Sequence, residues 1–144
     1  MKCWLYQIET IDTEQTYTGI TTKANPFQRF QEHLTDLKNG KHSSPEFQRV
    51  WDNNPTICNL QFRCVMHCES TPVAEYNEAK VVSETWPPHR LNGTVPVAGG
   101  SLIFAIEQLE QQGYSNRAIA EKLGISQGYA SKLRKRLRDS ELFA

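Results

Sequence analysis

Between Cys3 and Glu9 the chain alternates, with Trp4, Tyr6 and Ile8 on one side and Cys3, Leu5 and Gln7 on the other. That period of two predicts a half-buried strand. Asp12 to Gln15 turns the chain, and Thr16 to Ile20 returns as a β-branched, aromatic strand, so a hairpin is expected. Gly19 inside the second strand predicts a close approach of backbone or ligand. The period then changes to that of a helix. Asn25 can cap it, Pro26 suits the first helical position, and Gln28 can complete a capping box. Phe27, Phe30, Leu34 and Leu37 form the inward stripe, and Gly40 ends the helix. At about 100° per residue Arg29, His33 and Asp36 gather on a flank at the edge of that stripe. Ser44-Pro45 opens a second helix that buries Phe47, Val50 and Trp51 and stops at Asn53-Asn54-Pro55. Alternation resumes over 60–68, with Phe62, Cys64, Met66 and Cys68 on one face and Gln61, Arg63, Val65 and His67 on the other. Thr71-Pro72 starts a third helix, turning Val73, Ala74, Tyr76, Ala79 and Val82 inward and ending at Trp86-Pro87-Pro88. The order β-β-α-α-β-α predicts an α+β domain, a three-stranded antiparallel sheet flanked by helices.

Asn92 to Gly100 is rich in Gly, Pro and Val and has no period, which marks a boundary. The expected division is a first domain over 1–92, a linker over 93–100 and a small all-α domain over 101–144. In the last part Leu102, Ile103, Ala105, Ile106 and Leu109 form one apolar stripe, ended by Gly113. Ser115 caps the next helix, with Ala118, Ile119 and Leu123 inward, and Gly124 breaks it. Ser126 caps the last, with Ala130, Leu133 and Leu137 inward. Two helices about a tight glycine turn, with small Ala120 where they cross, read as a helix-turn-helix. Gln127, Tyr129, Ser131 and Lys132 then lie on the exposed front of a recognition helix, where they reach base edges. Arg134, Lys135 and Arg138 are placed to meet phosphates. A three-helix protein-interaction module is the competing interpretation.

Charge sharpens this picture. The net charge is zero, yet residues 1–95 carry nine Lys/Arg against eleven Asp/Glu, while 113–138 carry seven against Glu121 alone. A basic block over the last helices fits an element that meets a polyanion. With 38% apolar and 22% charged residues the composition is that of a folded chain. Lys2 is followed by only a short apolar run before Glu9 and Asp12, and no run reaches membrane-spanning length. The expectation is a soluble, cytoplasmic protein with no membrane partner, its four cysteines as thiols. Cys58, Cys64, Cys68 and His67 lie close in sequence but form no Cys-x-x-Cys pair, and His67 alternates away from the cysteines. Buried thiols are expected rather than a metal site.

Trp4-Leu5-Tyr6, then Tyr17-Thr18-Gly19, Arg29, His33, Gly40-Lys41-His42-Ser43-Ser44 with Phe47-Gln48, and a later helical glutamate resemble the GIY-YIG endonuclease family. The likeness covers about residues 3–92 and looks most like the phage homing-endonuclease branch, which an appended helix-turn-helix also suits. It implies a metal-dependent endonuclease that hydrolyses phosphodiester bonds in double-stranded DNA. Tyr6 and Tyr17 match the motif tyrosines, which the resemblance puts in the active site, one of them helping to activate the attacking water. Arg29 matches the essential arginine, and a guanidinium fork suits a phosphate gaining charge. His33 and His42 match the histidine positions, where they shuttle protons or hold the scissile phosphate. The metal, Mg²⁺ or Mn²⁺, is expected on a carboxylate of the third helix. Glu78, in Glu78-Ala79-Lys80-Val81-Val82, fits that pattern, and Glu75 one turn earlier rivals it.

Two departures stand out. The first motif has Trp4-Leu5 before its tyrosine rather than Gly-Ile, and the second reads Tyr17-Thr18-Gly19 rather than Tyr-Ile-Gly. The asparagine that the homing branch carries after the third helix aligns with Val95, leaving Asn92 as the nearby substitute. One nuclease site cuts one strand at a time, so the chain is expected to act as a monomer or as a transient dimer on DNA. The alternative function is a helix-turn-helix regulator whose nuclease domain has decayed.

Overall fold

β1 (Cys3–Thr10) pairs antiparallel with β2 (Gln15–Thr21), and β3 (Leu60–Cys68) runs along the other side of β1, giving the strand order β2-β1-β3. The computed structural model describes residues 2–85, 87–92 and 100–138. The expectations for Trp86, for Val95 and most of the linker, for the chain after 138, and for the side chains of Leu137 and Arg138 lie outside these described residues.

β1 is the central strand, so both of its faces need cover. Tyr6 and Ile8 face α1 (Phe27–Lys38) and α2 (Pro45–Asn53), packing with Phe30, Leu34, Leu37, Phe47, Val50 and Trp51. On the opposite face Cys3 and Cys68 meet Ala74 of α3 (Thr71–Glu84). The segment after α3 closes the outer edge of β2, where the Leu91 amide donates to the Thr16 carbonyl at 2.9 Å and the Leu91 side chain joins the α1–α2 core. Unpaired edge groups are thereby satisfied.

Three local expectations change. Asn25 does accept from the Phe27 amide at 3.0 Å, but the cap position falls on Pro26 and Gln28 closes no capping box. Phe27 is 45% exposed and covers Phe30 and Phe62 from outside instead of filling the core. The pairing of β1 with β3 slips by one residue between Leu5 and Tyr6, so that Leu5 faces Met66 and Tyr6 faces Cys64. A one-residue slip reverses every later side chain. Phe62 and Cys64 consequently share the Tyr6 face, Met66 and Cys68 take the other, and His67 returns to the Tyr6 face opposite Trp4. Cys68 is buried as expected and Cys3 is buried too, whereas Cys58 and Cys64 are exposed. Among the described residues no group of three metal-ligating side chains forms.

The last three helices, α4 (Gly100–Gln111), α5 (Asn116–Leu123) and α6 (Gln127–Arg138), build around Ile103, Ile106, Ile119 and Leu133. Ser115 and Ser126 cap α5 and α6 by accepting from the amides of Ala118 and Tyr129. Gly124 takes φ +67° at the turn between them, a value that a Cβ would strain. The cluster continues into α3. Tyr76 and Ala79 pack against α4, the Tyr76 ring meets Phe104 edge-on at 5.5 Å, and the Tyr76 hydroxyl donates to Glu107. α3 thus has one side on the sheet and the other in the core of the terminal helices.

That shared helix has a measurable consequence. Trp4 lies in β1 and Trp51 in α2, and no tryptophan follows residue 86, so the fluorescence of these two reports on the sheet-bearing part. Ile103→Ala, at a fully buried site in α4, is expected to cost about 2–5 kcal/mol and to move the urea transition followed by tryptophan fluorescence. An unmoved transition would show that α4 and the sheet unfold separately.

Candidate active site

Gly19 lies directly across from Tyr6 in the hairpin, and a Cβ built there would come within 2.5 Å of the Tyr6 phenol oxygen. The expected close approach is therefore that of the Tyr6 ring, which crosses the bare glycine to reach the inner side of α1. There the phenol oxygen meets His33 Nε2 at 2.6 Å. His33 is 2% exposed, deeper than the helix-flank position the sequence suggested. Its Nδ1 meets His42 Nε2 at 2.7 Å, and His42 Nδ1 accepts the Ser44 amide at 2.9 Å.

The backbone end of this chain sets the protons. An amide can only donate, so His42 Nδ1 carries no hydrogen and His42 is a neutral imidazole protonated at Nε2. That hydrogen goes to His33 Nδ1, so His33 carries its own at Nε2 and donates it to the Tyr6 oxygen. Burial favours the neutral rings, lowering His42 below the usual histidine range and pushing His33 down to about 3. Arg29 adds to the fall at His33. All four ring nitrogens are engaged, so neither histidine offers one to a phosphate. Both stand behind Tyr6 as hydrogen-bond donors.

Neighbouring residues hold this row, and for Ser44, Gln48 and Asn92 the part they play in it is one the sequence did not suggest. Ser44 caps α2 through Phe47, donates its hydroxyl to the Leu91 carbonyl at 2.5 Å, and supplies the amide for His42. Gln48 accepts the His42 amide at 3.1 Å and donates to the Leu37 carbonyl at 2.9 Å, tying the end of α1 to the loop. Tyr17 sets its ring edge-on to both histidines, at 5.0 and 5.5 Å. Asn92 pairs with both backbone groups of Thr18 at 2.8 and 2.9 Å, fixing the strand beside Tyr17. Asn92, set beside Val95 in the sequence comparison, is thus bonded next to a motif tyrosine.

Arg29 from α1 and Glu78 from α3 both act electrostatically on the two phenols. Burial raises Tyr6 and Tyr17 above the usual phenol range; the Glu78 charge adds to this and the Arg29 cation opposes it. Both ionic groups therefore act on one locus. Arg29 pairs with Glu32 at 3.2 Å, and its charge pulls the Tyr6 phenol back toward its usual range. Burial, then the neighbouring Glu75, pushes the Glu78 carboxyl up to about 7. Glu75 is itself raised by burial but has no comparable influence on Tyr6 or Tyr17. Among the described residues no cation pairs with Glu78.

The family model for the GIY-YIG catalytic domain matches residues 2–86. The chain belongs to the GIY-YIG family. It carries that family's catalytic domain and is a GIY-YIG-type endonuclease. A solved structure, a mutant of the catalytic domain of the intron endonuclease I-TevI, superposes with a TM-score of 0.58 at 19% identity. The match covers 67% of this chain and 97% of that one, and it supports the shared fold. No curated protein sequence matches the chain. Within this GIY-YIG domain the structure brings Tyr6, Tyr17, Arg29, His33 and His42 together, with Glu78 close enough to act on both phenols.

On α6 Gln127, Tyr129, Ser131, Lys132 and Lys135 are exposed. Arg134 has another task, because it donates to Glu110 at 2.8 Å and to Asn116 at 3.3 Å, bracing α6 against α4 and α5.

Two substitutions test the arrangement. Gly19→Ala displaces the Tyr6 ring, so cleavage is expected to collapse while the circular dichroism spectrum persists; unimpaired cleavage would contradict the crossing. For Glu78 the folded value, about 7, exceeds the ordinary 4.5, so the folded chain holds a proton that the unfolded chain releases. That stabilisation is complete below 4.5 and is lost as pH rises through about 7. In chelator, Glu78→Gln is expected to melt higher than the native chain above about pH 7, with the difference vanishing below 4.5.

Proposed function

We propose that the chain hydrolyses phosphodiester bonds of double-stranded DNA with a divalent cation, and that α4–α6 act as a helix-turn-helix that positions it, as in a homing enzyme. The observation that carries this reading is that the charges of Arg29 and Glu78 both act on the buried Tyr6 phenol and the half-buried Tyr17 phenol. A structural core gains nothing from a half-buried carboxylate with no cation beside it. A phosphate flanked by a guanidinium and a cation-binding carboxylate uses both groups.

Glu78 suits a hard divalent ion, since it is a single carboxylate whose charge is uncompensated in the folded chain. Mg²⁺ or Mn²⁺ held there supplies Lewis-acid charge against the phosphate oxygens. The side chains of the protein do the rest. Arg29 keeps its proton at any working pH and holds the phosphate as charge builds. Tyr6 takes the proton of the attacking water. Its own proton must first pass to solvent, because His33 already carries hydrogen on the nitrogen that faces it. The resulting phenolate is held by His33 Nε2–H and by Arg29. Tyr17 packs the two imidazoles in place.

DNA placement is assigned to α6, with Gln127, Tyr129, Ser131 and Lys132 toward base edges and Lys135 and Arg138 toward phosphates. Docking of α4 on α3 keeps this surface at a fixed distance from Glu78, which favours cutting close to the bound sequence.

Plasmid incubated with Mg²⁺ tests the reading. The native chain is expected to nick or cut it, and Arg29→Ala to lose about 10²–10³-fold in kcat while keeping salt-sensitive DNA binding. A native chain that binds DNA but never cuts it would favour the decayed-nuclease regulator. The Tyr6 assignment adds a pH signature. With a phenol raised above its usual value, the rate should climb about tenfold per pH unit above neutrality, and a flat profile would exclude Tyr6 as the base.

A further inference from the structure

The Tyr6 face of the sheet continues past the tyrosine into a cleft that the hydrolytic groups do not use. It has a volume of about 310 Å³ and is lined by Lys2, Trp4, Thr22, Lys23, Ala24 and His67. The one-residue slip in β3 brings His67 opposite Trp4, and their rings stack at 4.2 Å with 17° between planes. Trp4 belongs to none of the apolar clusters that hold the fold together. Two lysines flank the stacked pair and no acidic side chain lines the cleft.

The cleft is linked to the reacting groups in two ways. Trp4 and Tyr6 are alternate residues on one face of β1, a separation of about 7 Å along the strand. Glu32 pairs with Lys23 at 3.6 Å and with Arg29 at 3.2 Å, so one carboxylate aligns the cleft's lysine with the arginine of the site. Aromatic rings bordered by cations are the chemistry that holds a nucleotide, since bases stack on the rings and phosphates meet the ammonium groups.

We propose that this cleft binds the nucleotide adjacent to the scissile phosphate on the strand being cut, its base stacked on the Trp4–His67 pair and its phosphate held by Lys2 and Lys23. The proposal rests on the phosphodiesterase assignment of Arg29, Tyr6 and Glu78. A base seated there has left the duplex stack, so the enzyme distorts DNA at the cut. Unpaired or mismatched bases at that position are therefore preferred, because they are already loosened. A free mononucleotide offers the same chemistry and is the other source of the ligand.

Photocrosslinking separates these possibilities. The full chain is held in chelator with a duplex whose cut position has been mapped, carrying 5-iodouracil at one position at a time. The expected result is a cross-link in the peptide containing Trp4 or in the one containing His67, only when the analogue lies next to the cut. Trp4→Leu is expected to keep the native circular dichroism spectrum and lose that cross-link. In cleavage assays it should raise KM on the order of tenfold with kcat near native, as expected when a stacking platform is removed. Cleavage without any cross-link to this cleft, or a folded Trp4→Leu with unchanged KM, overturns the proposal and leaves the nuclease assignment standing. A cross-link from free iodouridine monophosphate but from no duplex position makes the cleft a mononucleotide site and likewise overturns it. Failure of the native chain to bind DNA at all removes the phosphodiesterase assignment and the subsite together.

Discussion

One backbone hydrogen bond, from the Ser44 amide to His42 Nδ1, sets the state of everything behind Tyr6. It makes His42 a donor to His33 and His33 a donor to the phenol. Burying two imidazoles and the Tyr6 phenol is costly unless every polar atom finds a partner, and no buried side-chain polar atom among the described residues lacks one. The surrounding fold serves this row. Gly19 lets the Tyr6 ring across, α1 carries His33 into the core, and Gln48 and Ser44 hold the loop that brings His42 over it. Tyr17 closes the stack from the side, and Asn92 anchors the strand that bears it.

Against this neutral background the two charged groups stand out. Arg29 comes from α1 and Glu78 from α3, and they pull the phenols in opposite directions. The fold keeps Glu78 where its carboxyl resists ionisation, which costs stability at neutral pH. α3 can hold it there because its other side is clamped by Tyr76 and Ala79 in the core of the terminal helices. The same helix that presents the carboxylate thus carries the module proposed to grip DNA, and the two tasks are mechanically joined.

Much of this was readable in the sequence, because the signals involved are local. Alternation located the three strands, Ser44-Pro45 and Gly124 marked helix ends, and the tyrosine, arginine and histidine spacing pointed to the family. What escaped prediction depends on partners distant in the chain. The register slip in β3 leaves no mark in a pattern of alternating residues, yet it exchanges the faces of Met66, His67 and Cys68. Asn92 gains its role only when residue 18 lies beside it, and Arg134 is turned inward by Glu110 from another helix. The helical angle puts His33 on a flank at the edge of the core, whereas it is buried. Its depth came from a tyrosine that crosses a glycine on a different strand, which no helical angle encodes. Ser44 was recognised as a cap, but its amide's service to His42 arises from the loop shape.

The ring-nitrogen NMR spectrum of histidine-labelled protein tests the donor row most directly. The account predicts that His33 and His42 both carry their hydrogen on Nε2 and remain neutral as pH falls through the usual histidine range. A hydrogen on Nδ1 of either ring, or an imidazolium forming near the ordinary histidine value, would contradict it.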